Sequence, residues 1–478
     1  MLHRDRGCRT ASGTFSQELT AAVQALLKGA DWSGVTFRSD CRWLPAGLVL
    51  AALLWAWSSK TTLGERLEQA LRVTRGLGRR CAPKSTSYRA FLKLLVRWTA
   101  ELRAALLVVF QRTMEREFSK QFRHAGFVVL GGDGSKLQLA RTVSNERNYS
   151  PQTRGKKGKQ RRRADRARRR PRTRSAQTQR ARDKKADSPQ MALTLLFHVM
   201  LRLPWDWRLG PSFESEREHL RQMLASLPPD ALIVLDCGFV GYEFWTELLA
   251  SGRHFVIRVG GNVRLLRKLG VVRESHGTVS LWPDKAAKRR QPPLTLRLVQ
   301  VHDGRQAWSL VTSVCDAKRL SDLQVAKIYG FRWRIELFFR HFKQTYGRAK
   351  LRSHKAEHAA CEAEWSLLGL WALLLHAQRQ HQHARGEPAC LSVARVLRAV
   401  GQALDEHRSR PEPGLTLRDR LLAAVIDRYR RKDKTSRGYP RKKYEPATRN
   451  PHLITATPTQ RQLAKQLLSE SMKKGFTA

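Results

Sequence analysis

Apolar residues recur at helical spacing through the first part of the chain. Intervals of three and four residues between apolar side chains predict helices at Leu19–Leu27, Ala46–Trp57, Leu63–Leu77 and Ala90–Phe118. The apolar runs Ala46–Trp57 and Trp365–His376 are shorter than the ~20 residues that a membrane-spanning helix needs. The pattern therefore predicts a helical N-terminal region over residues 1–125, in which such runs are buried core helices.

After residue 125 the pattern changes to short apolar runs that alternate with helical periodicity, which is typical of α/β proteins. Residues 126–260 are predicted to contain strands at Phe127–Leu130, Met191–Met200, Trp205–Leu209, Ala231–Leu235 and His254–Val259, with helices near Ser215–Ser226 and Tyr242–Ala250. Residues 261–322 form a β-rich stretch with strands at Leu294–Val301 and Ala307–Val314. Two long helices, Leu323–Tyr346 and Glu357–Gln382, are predicted within residues 323–385, and a C-terminal basic tail region within residues 386–478.

The composition adds a strong positive charge to this fold. The 478 residues include 90 Lys and Arg against 40 Asp and Glu, a formal net charge of +50. Hydrophobic residues make up 41% of the chain and include 13 Trp, enough for a sizeable core, so wholesale disorder is excluded. The charge predicts a polyanionic partner, most simply nucleic acid, with an anionic membrane surface as the competing interpretation.

Two segments concentrate the positive charge. Residues 154–185 contain 17 Lys and Arg and only two acids, with no aromatic residue and no aliphatic residue larger than Ala. Such a segment buries too little surface to offset its ordering entropy, which predicts a disordered basic loop. A second basic block lies at Arg428–Lys443. We expect both to attract DNA without reading its sequence, and the alternative is a solvated surface that binds any polyanion weakly.

Other features bear on the compartment and on energy use. Seven cysteines without a C-x-x-C pair favour a reducing compartment and argue against a structural zinc site. The first thirteen residues contain no apolar stretch of the kind that directs export. No G-x-x-x-x-G-K-[ST] phosphate loop is present, so no ATP requirement is indicated. We therefore expect a cytoplasmic, nucleoid-associated protein that does not act at a membrane.

Two aspartates follow predicted buried strands. Asp133 comes after Phe127–Leu130 and Asp236 comes after Ala231–Leu235. Ligands of open parallel sheets bind beyond the carboxyl ends of the strands, where an Asp is well placed to hold a metal. The alternative for each is structural, because Asp is a common turn residue and Asp133 stands in a Gly-Gly-Asp-Gly sequence.

The predicted helix Leu323–Tyr346 carries an acid among cations. Tyr329, Arg332, Glu336 and Lys343 stand at offsets 0, +3, +7 and +14. At ~100° per residue they share an arc about 60° wide beside the apolar face of the helix. The alternative is an ordinary solvated stripe in which Arg332 and Glu336 form an i,i+4 ion pair.

These residues together resemble the DDE transposases of the insertion-sequence-four group. That group is recognised by a Tyr-Arg-Glu-Lys signature, which Tyr329, Arg332, Glu336 and Lys343 match in order and spacing. The sequence Asp236-Cys237-Gly238-Phe239 is similar to the family's Asp-x-Gly-Phe/Tyr box, although many relatives have Arg where Cys237 stands. The resemblance spans about residues 125–385. It implies a ribonuclease-H-like mixed sheet with flanking helices, interrupted by a mainly β insertion before the Glu336 helix.

The resemblance also implies a chemistry. Asp133, Asp236 and Glu336 would hold two Mg²⁺ or Mn²⁺ ions per active site, and Tyr329, Arg332 and Lys343 would hold phosphates near the cleaved DNA end. Family members that form hairpin ends stack a flipped base on a Trp of the insertion, for which Trp308 is the candidate and Trp282 its competitor. The expected partners are double-stranded DNA, as element ends and target, and a second copy of the chain in a synaptic homodimer.

Two other functions fit part of the sequence. A catalytically inactive, transposase-derived DNA-binding protein would explain the charge, but it has no need for three carboxylates, which weaken phosphate binding. A structural RNA-binding protein would also explain the charge, but it leaves the Tyr-Arg-Glu-Lys spacing unexplained. A helical N-terminal region that binds DNA fits both the transposase and its inactive derivative.

Overall fold

A computed structural model describes residues 13–75, 86–150, 188–269, 277–302, 307–426 and 450–473. The predicted basic loop 154–185 and the block Arg428–Lys443 therefore lie outside the described residues. The chain divides into two compact units. The helical unit consists of Met1–Ser119, Lys136–Met191 and Arg340–Asp427, and the sheet unit consists of Lys120–Ser135, Ala192–Phe339 and Arg428–Ala478.

Helices and strands are numbered in chain order. The α-helices in the described residues are α1 Phe15–Leu27, α2 Pro45–Trp57, α3 Leu63–Thr74, α4 Tyr88–Glu117, α5 Ser119–Phe122, α6 Val143–Tyr149, α7 Glu216–Gln222, α8 Tyr242–Ala250, α9 Asp284–Lys288, α10 Asp322–Gly330, α11 Trp333–Arg340, α12 Ala356–Arg385, α13 Val393–Asp405, α14 Leu417–Leu422 and α15 Pro458–Lys473. The strands are β1 Val128–Gln138, β2 Gln190–His198, β3 Leu203–Pro211, β4 Ala231–Leu235, β5 His254–Val259, β6 Arg264–Arg267, β7 Thr278–Leu281, β8 Leu294–His302, β9 Ala307–Thr312 and β10 His452–Thr455. Throughout these described segments, no helix is both long and apolar enough to cross a membrane.

The core of the helical unit lies where α2 packs against α12. Almost every residue of α2 is buried, in agreement with its uninterrupted apolar sequence. The indole nitrogen of Trp57 donates a hydrogen bond of 2.7 Å to the carbonyl of Gly369 in α12. A Cβ on Gly369 would lie 2.8 Å from the Cβ of Ala56, so only glycine allows the two backbones to approach so closely.

The sheet unit contains a mixed sheet, so the predicted α/β class is confirmed. The ten strands of the described residues follow the order β10-β6-β7-β8-β9-β5-β4-β1-β2-β3. At its centre β1 pairs in parallel with β4, and β4 pairs in parallel with β5. The strands β6 to β9, from the predicted β-rich stretch, extend this sheet from β5 by antiparallel pairing. The C-terminal strand β10, for which the sequence provided no signal, pairs with β6 at the edge.

The strand that carries Asp133 is longer than predicted. It continues past Leu130 through the Gly-Gly-Asp-Gly sequence to Gln138, so the turn interpretation of Asp133 is wrong. The glycines fit a strand because buried side chains pack onto them: a Cβ on Gly132 would lie 2.5 Å from Leu235 Cδ2, and one on Gly131 would lie 3.1 Å from Val199 Cγ1. Asp133 therefore lies within a strand and not in a turn beyond it.

The predicted helix Leu323–Tyr346 is interrupted. Helix α10 ends at Gly330, α11 begins at Trp333, and a π-helical segment follows at His341–Thr345. A uniform rotation of 100° per residue across the whole stretch is therefore wrong, although Arg332 still contacts both Tyr329 and Glu336. The reason is that the turn at 331–332 and the wider π-helical turn each change the rotation per residue.

Candidate active site

The two aspartates lie at the same level of two neighbouring strands in the interior of the sheet, where β4 ends. The register of β1 and β4 pairs Gly131 with Val234, and Asp133 and Asp236 each come two residues later in the chain. The sequence separation of the two aspartates equals the register offset of the strands, because parallel neighbours in register carry equivalent positions to the same level. The structure therefore brings the two candidate acids close together.

Backbone amides orient both carboxylates. The amide of Gly134 donates to Asp133 Oδ1 at 2.8 Å. The amide of Gly238 donates to Asp236 Oδ1, also at 2.8 Å, and this bond caps the short 3₁₀ turn Cys237–Phe239. Each carboxylate retains its second oxygen for another partner.

Arg332 connects Glu336 to Asp133. One guanidinium nitrogen of Arg332 donates to Asp133 Oδ2 at 3.3 Å, and the other donates to Glu336 Oε1 at 2.6 Å. Arg332 therefore forms the predicted i,i+4 pair with Glu336 and also bridges it to Asp133. These bonds gather one acid from a strand and one from a helix around a single cation.

Helix α11 is held in place on its opposite face. The ring of Phe338 packs against that of Phe197 in β2, with centroids 5.3 Å apart. Nη1 of Arg334 donates to the carbonyl of Val199 at 2.7 Å. Burial of the apolar face thus orients the helix so that Glu336 points away from the core.

Asp133 has a perturbed pKa. Burial is the largest cause and raises the pKa of this carboxyl to about 6, against the opposing effects of the Gly134 hydrogen bond and the Arg332 charge. The negative charges of Asp236 and Glu216 raise the pKa further. A carboxylate that is costly to ionise in the free protein gains most from a cation that neutralises it.

Glu216, the first residue of α7, is an acid of this site that the sequence interpretation missed. A Cβ on Gly134 would overlap the Glu216 carboxyl, so this side chain lies against the backbone beside Asp133. Its sequence signal was hidden, because an acid in the first turn of a helix is ordinary helix stabilisation. A better signal is the combination of that acid with a glycine that follows a strand aspartate.

An aromatic pair with two guanidiniums lies in the same unit. The rings of Trp308 in β9 and Tyr329 in α10 are 5.2 Å apart at an interplanar angle of 45°. The guanidinium carbon of Arg258 lies 6.0 Å from the Trp308 ring, and that of Arg332 lies 5.9 Å from the Tyr329 ring. This cation–aromatic row, Arg258–Trp308–Tyr329–Arg332, connects the insertion strands to the candidate carboxylates.

The competing tryptophan and the signature lysine have other surroundings. Trp282 is only 6% exposed, and its indole nitrogen donates to the Gln291 carbonyl at 2.9 Å, as is usual for a core Trp. Lys343 lies in the π-helical segment and belongs to the helical unit, whereas the other predicted site residues belong to the sheet unit. Burial lowers the pKa of its ammonium group.

The chemistry of the donors suits a hard divalent cation. Asp133, Asp236 and Glu336 offer carboxylate oxygens, which Mg²⁺ and Mn²⁺ prefer. In the described part of the chain, no three His, Cys, Asp or Glu side chains are grouped closely enough to hold a metal ion as they stand. The Arg332 guanidinium occupies the position between Asp133 and Glu336, as a cationic stand-in that a metal ion would have to displace.

Comparisons with known proteins agree with the resemblance. Residues 166–373 match the family model of the transposase DDE domain, a range that contains Asp236 and Glu336 but begins after Asp133. The chain is 28% identical over 195 residues to the transposase InsG for insertion sequence element IS4 of Escherichia coli (strain K12). That match covers 39% of this chain and 42% of the relative, so the similarity spans less than half of either protein.

A solved structure shows a more distant likeness. It is the cryo-EM structure of a piggyBac transposase synaptic complex with hairpin DNA, which matches with a TM-score of 0.38 and 9% identity over 87% of this chain and 83% of that one. The family model and the curated relative identify the same class of protein. Over the matched residues, the chain is therefore similar to DDE transposases of the insertion-sequence-four type.

Proposed function

We propose that this protein is a DNA transposase, which cuts the ends of its own insertion sequence and joins their 3′-OH ends to target DNA. The observation that carries the proposal is that Arg332 bridges Asp133 to Glu336 while Asp236 lies on the strand next to Asp133, with Asp236 and Glu336 inside the range matched by the transposase DDE domain. In this proposal the central strands form a ribonuclease-H-like core, and residues 261–322 form its β insertion. Residues 1–125 are the helical DNA-binding region.

Asp133, Asp236 and Glu336 would hold two Mg²⁺ or Mn²⁺ ions. When bound, such ions activate the attacking oxygen and stabilise the leaving oxygen of a phosphodiester. With those carboxylates bound to metal ions, the planar fork of Arg332 would be available to bind a phosphate near the cleaved end. Tyr329 lies beside it on the preceding helix, and Lys343 supplies a further cation.

The cation–aromatic row supports a hairpin route for cut-and-paste transposition. A base flipped out of the duplex loses stacking, which costs a few kcal/mol, and an aromatic platform offsets part of that cost. Trp308 is half-exposed and has Tyr329 and Arg258 as neighbours, whereas Trp282 is buried. Trp308 is therefore the better stacking platform.

The partners follow from the reaction. Element ends and target DNA are double-stranded, and two ends must be cut and joined together, so a homodimer in the synaptic complex is part of the proposal. A protein that acts on chromosomal DNA works in the cytoplasm, at the nucleoid. The 90 Lys and Arg against 40 acids favour binding to DNA independently of its base sequence.

One observation favours a second function, that of an inactive transposase-derived DNA-binding protein. Arg332 already pairs with Asp133 and Glu336, so both acids have a cationic partner within the protein itself. In that case the acids would be structural partners of Arg332. Cleavage would then be absent, while DNA binding would persist.

A cleavage assay separates the two functions. The substrate is a duplex with the DNA that flanks the protein's own gene, incubated with Mg²⁺, Mn²⁺ or EDTA. The variants are Asp133→Asn and Glu336→Gln, with Glu218→Gln as control because Glu218 is an exposed acid of α7 that pairs with Arg221. We expect metal-dependent cuts at a discrete site, lost in both site variants and kept in the control. A footprint at the element end without any cut would establish the binding protein instead.

A further inference from the structure

A cationic pocket opens in the sheet unit outside the candidate carboxylates. Its volume is about 360 Å³. It is lined by residues from three segments: 215–221, which include most of α7; 241–244, at the start of α8; and 283–291, around α9. Four cations face it, namely Arg217, Arg221, Lys285 and Arg289, against one carboxylate, Glu243. The lining therefore has a surplus of positive charge.

The ion pairs show which of these cations are available. Arg221 is bonded to Glu247 at 2.5 Å and to Glu218 at 3.1 Å, and Arg289 lies 3.7 Å from Glu243. By contrast, neither Arg217 nor Lys285 forms an ion pair with an acid of the described chain.

Arg217 is held toward the pocket by the backbone. Its Nη1 donates to the carbonyl of Val240 at 3.2 Å. A Cβ on Gly241 would lie 3.0 Å from that same nitrogen, so the absence of a side chain there lets the guanidinium lie close to the chain. A guanidinium with one nitrogen bonded to the backbone retains other N–H donors for an anion.

The pocket adjoins the candidate active site along two chain segments. Arg217 directly follows Glu216, whose carboxyl lies beside Gly134 and Asp133. Gly241 follows Asp236 after the capped turn Cys237–Phe239 and Val240. From this adjacency along the chain we infer that a phosphate next to the scissile one can contact the pocket.

We propose that this pocket binds a backbone phosphate of the DNA strand that passes through the active site, with Arg217 and Lys285 as its principal ligands. The inference rests on the proposed function, since it takes the bound molecule to be the DNA substrate. A phosphate group is the chemistry that an unpaired guanidinium and an unpaired ammonium recognise together. DNA is the source that the position favours, because two lining residues, Arg217 and Gly241, follow the acids Glu216 and Asp236 closely in the chain, whereas free inorganic phosphate is the alternative source.

Ethylation interference on the full-length protein tests this. The duplex carries the element end, and the proteins are wild type, Arg217→Gln, Lys285→Gln and the double variant, with Lys318→Gln as control. Lys318 is an exposed lysine of the same unit that does not line the pocket. We expect ethylation at one or two phosphates beside the cleavage site to block binding by wild type and control, and to lose its effect in the double variant.

Salt dependence gives a second readout. The slope of log affinity against log salt is expected to fall by about 0.9 for each DNA phosphate that the protein no longer neutralises, so by about one in each single variant and up to two in the double variant. An unchanged interference map and slope in the double variant would overturn the proposal. Inorganic phosphate that binds wild type and not the double variant, with the DNA map unchanged, would overturn it in favour of a free-phosphate site.

The outcomes also separate this inference from the proposed function. A wild-type protein that cuts no duplex refutes the transposase, whatever the pocket does. A wild-type protein that cuts its element end, with pocket variants whose phosphate map is unchanged, refutes only the pocket. Because Arg217 and Lys285 are exposed, the glutamine variants are expected to fold, and circular dichroism checks this.

Discussion

The strand side and the helix side of the candidate site are built differently. Asp133 and Asp236 on the strand side are positioned by the register of β1 and β4 and by hydrogen bonds from backbone amides. Glu336 on the helix side is held by a hydrogen bond from the side chain of Arg332, which lies in the turn between α10 and α11. A side-chain cation is exchanged for a ligand more easily than a backbone hydrogen bond is, so we expect the strand side to be preformed and the helix side to be adjustable.

The largest expected effect comes from breaking the strand side. In Gly132→Val the new Cβ would lie 2.5 Å from Leu235 Cδ2 in a fully buried core, which we expect to lower the free energy of unfolding by about 1–3 kcal/mol. We expect the displaced strand to move Asp133 as well, so that cleavage is lost. Urea denaturation measures the change in the free energy of unfolding. Gly330→Ala is the matched control, since nothing lies within 4 Å of its new Cβ, and equal destabilisation in both variants would contradict the packing argument.

The next effect concerns the charge of Asp133. Its pKa is about 6 in the folded protein and 3.8 in the unfolded reference, so the folded state binds more protons between these values. Stability therefore rises as the pH falls from about 6 to about 4. Above pH 6 the ionised carboxylate costs up to about 3 kcal/mol, a figure that already includes the favourable charge of Arg332.

Asp133→Asn should accordingly stabilise the metal-free protein at pH 7.5 and lose this advantage toward pH 4. Urea denaturation in EDTA across this range gives the difference. A variant that is less stable than wild type at pH 7.5 would show that the Arg332 ion pair outweighs burial.

A smaller effect tests whether the helix side is adjustable. Arg332→Gln removes the cation that competes for Asp133 and Glu336, so we expect Mn²⁺ to bind the free protein about tenfold more tightly, while DNA cleavage falls because a phosphate ligand has been removed. Isothermal titration calorimetry with Mn²⁺ measures the affinity. Arg334→Gln is the control, because Arg334 bonds a backbone carbonyl on the opposite face. Unchanged Mn²⁺ affinity in Arg332→Gln would mean that the guanidinium does not occupy the metal position.

The smallest effect comes from Glu216. Its negative charge raises the pKa of Asp133, so Glu216→Gln should lower that pKa, although burial remains the larger cause. Carboxyl ¹³C NMR of the metal-free protein follows the titration. Glu218→Gln, on the same helix, should leave the Asp133 titration where it is in wild type. Equal shifts of the Asp133 pKa in both variants would indicate a long-range effect of net charge and not a local interaction with Glu216 beside Gly134.

The parts of the fold that local pattern controls were predictable. The elements Ala231–Leu235, Tyr242–Ala250 and His254–Val259 have the bounds that their apolar runs and turn residues indicate. Elsewhere the sequence pattern was insufficient. β10 is four residues long and exists by pairing with β6, a distant partner that no local signal reveals.

The sequence by itself determined which residues are candidates for the chemistry: the spacing of Tyr329, Arg332, Glu336 and Lys343 and the two aspartates after apolar runs can be seen in the sequence alone. Only the tertiary structure decided how these residues are bonded and which other residues lie beside them. It extended β1 through Gly131 and Gly132, placed Arg332 between Asp133 and Glu336, and brought Glu216 against Gly134. The physical reason is that these features depend on interactions between residues far apart in the chain, whose steric fit and charge exist only after the strands and helices have packed.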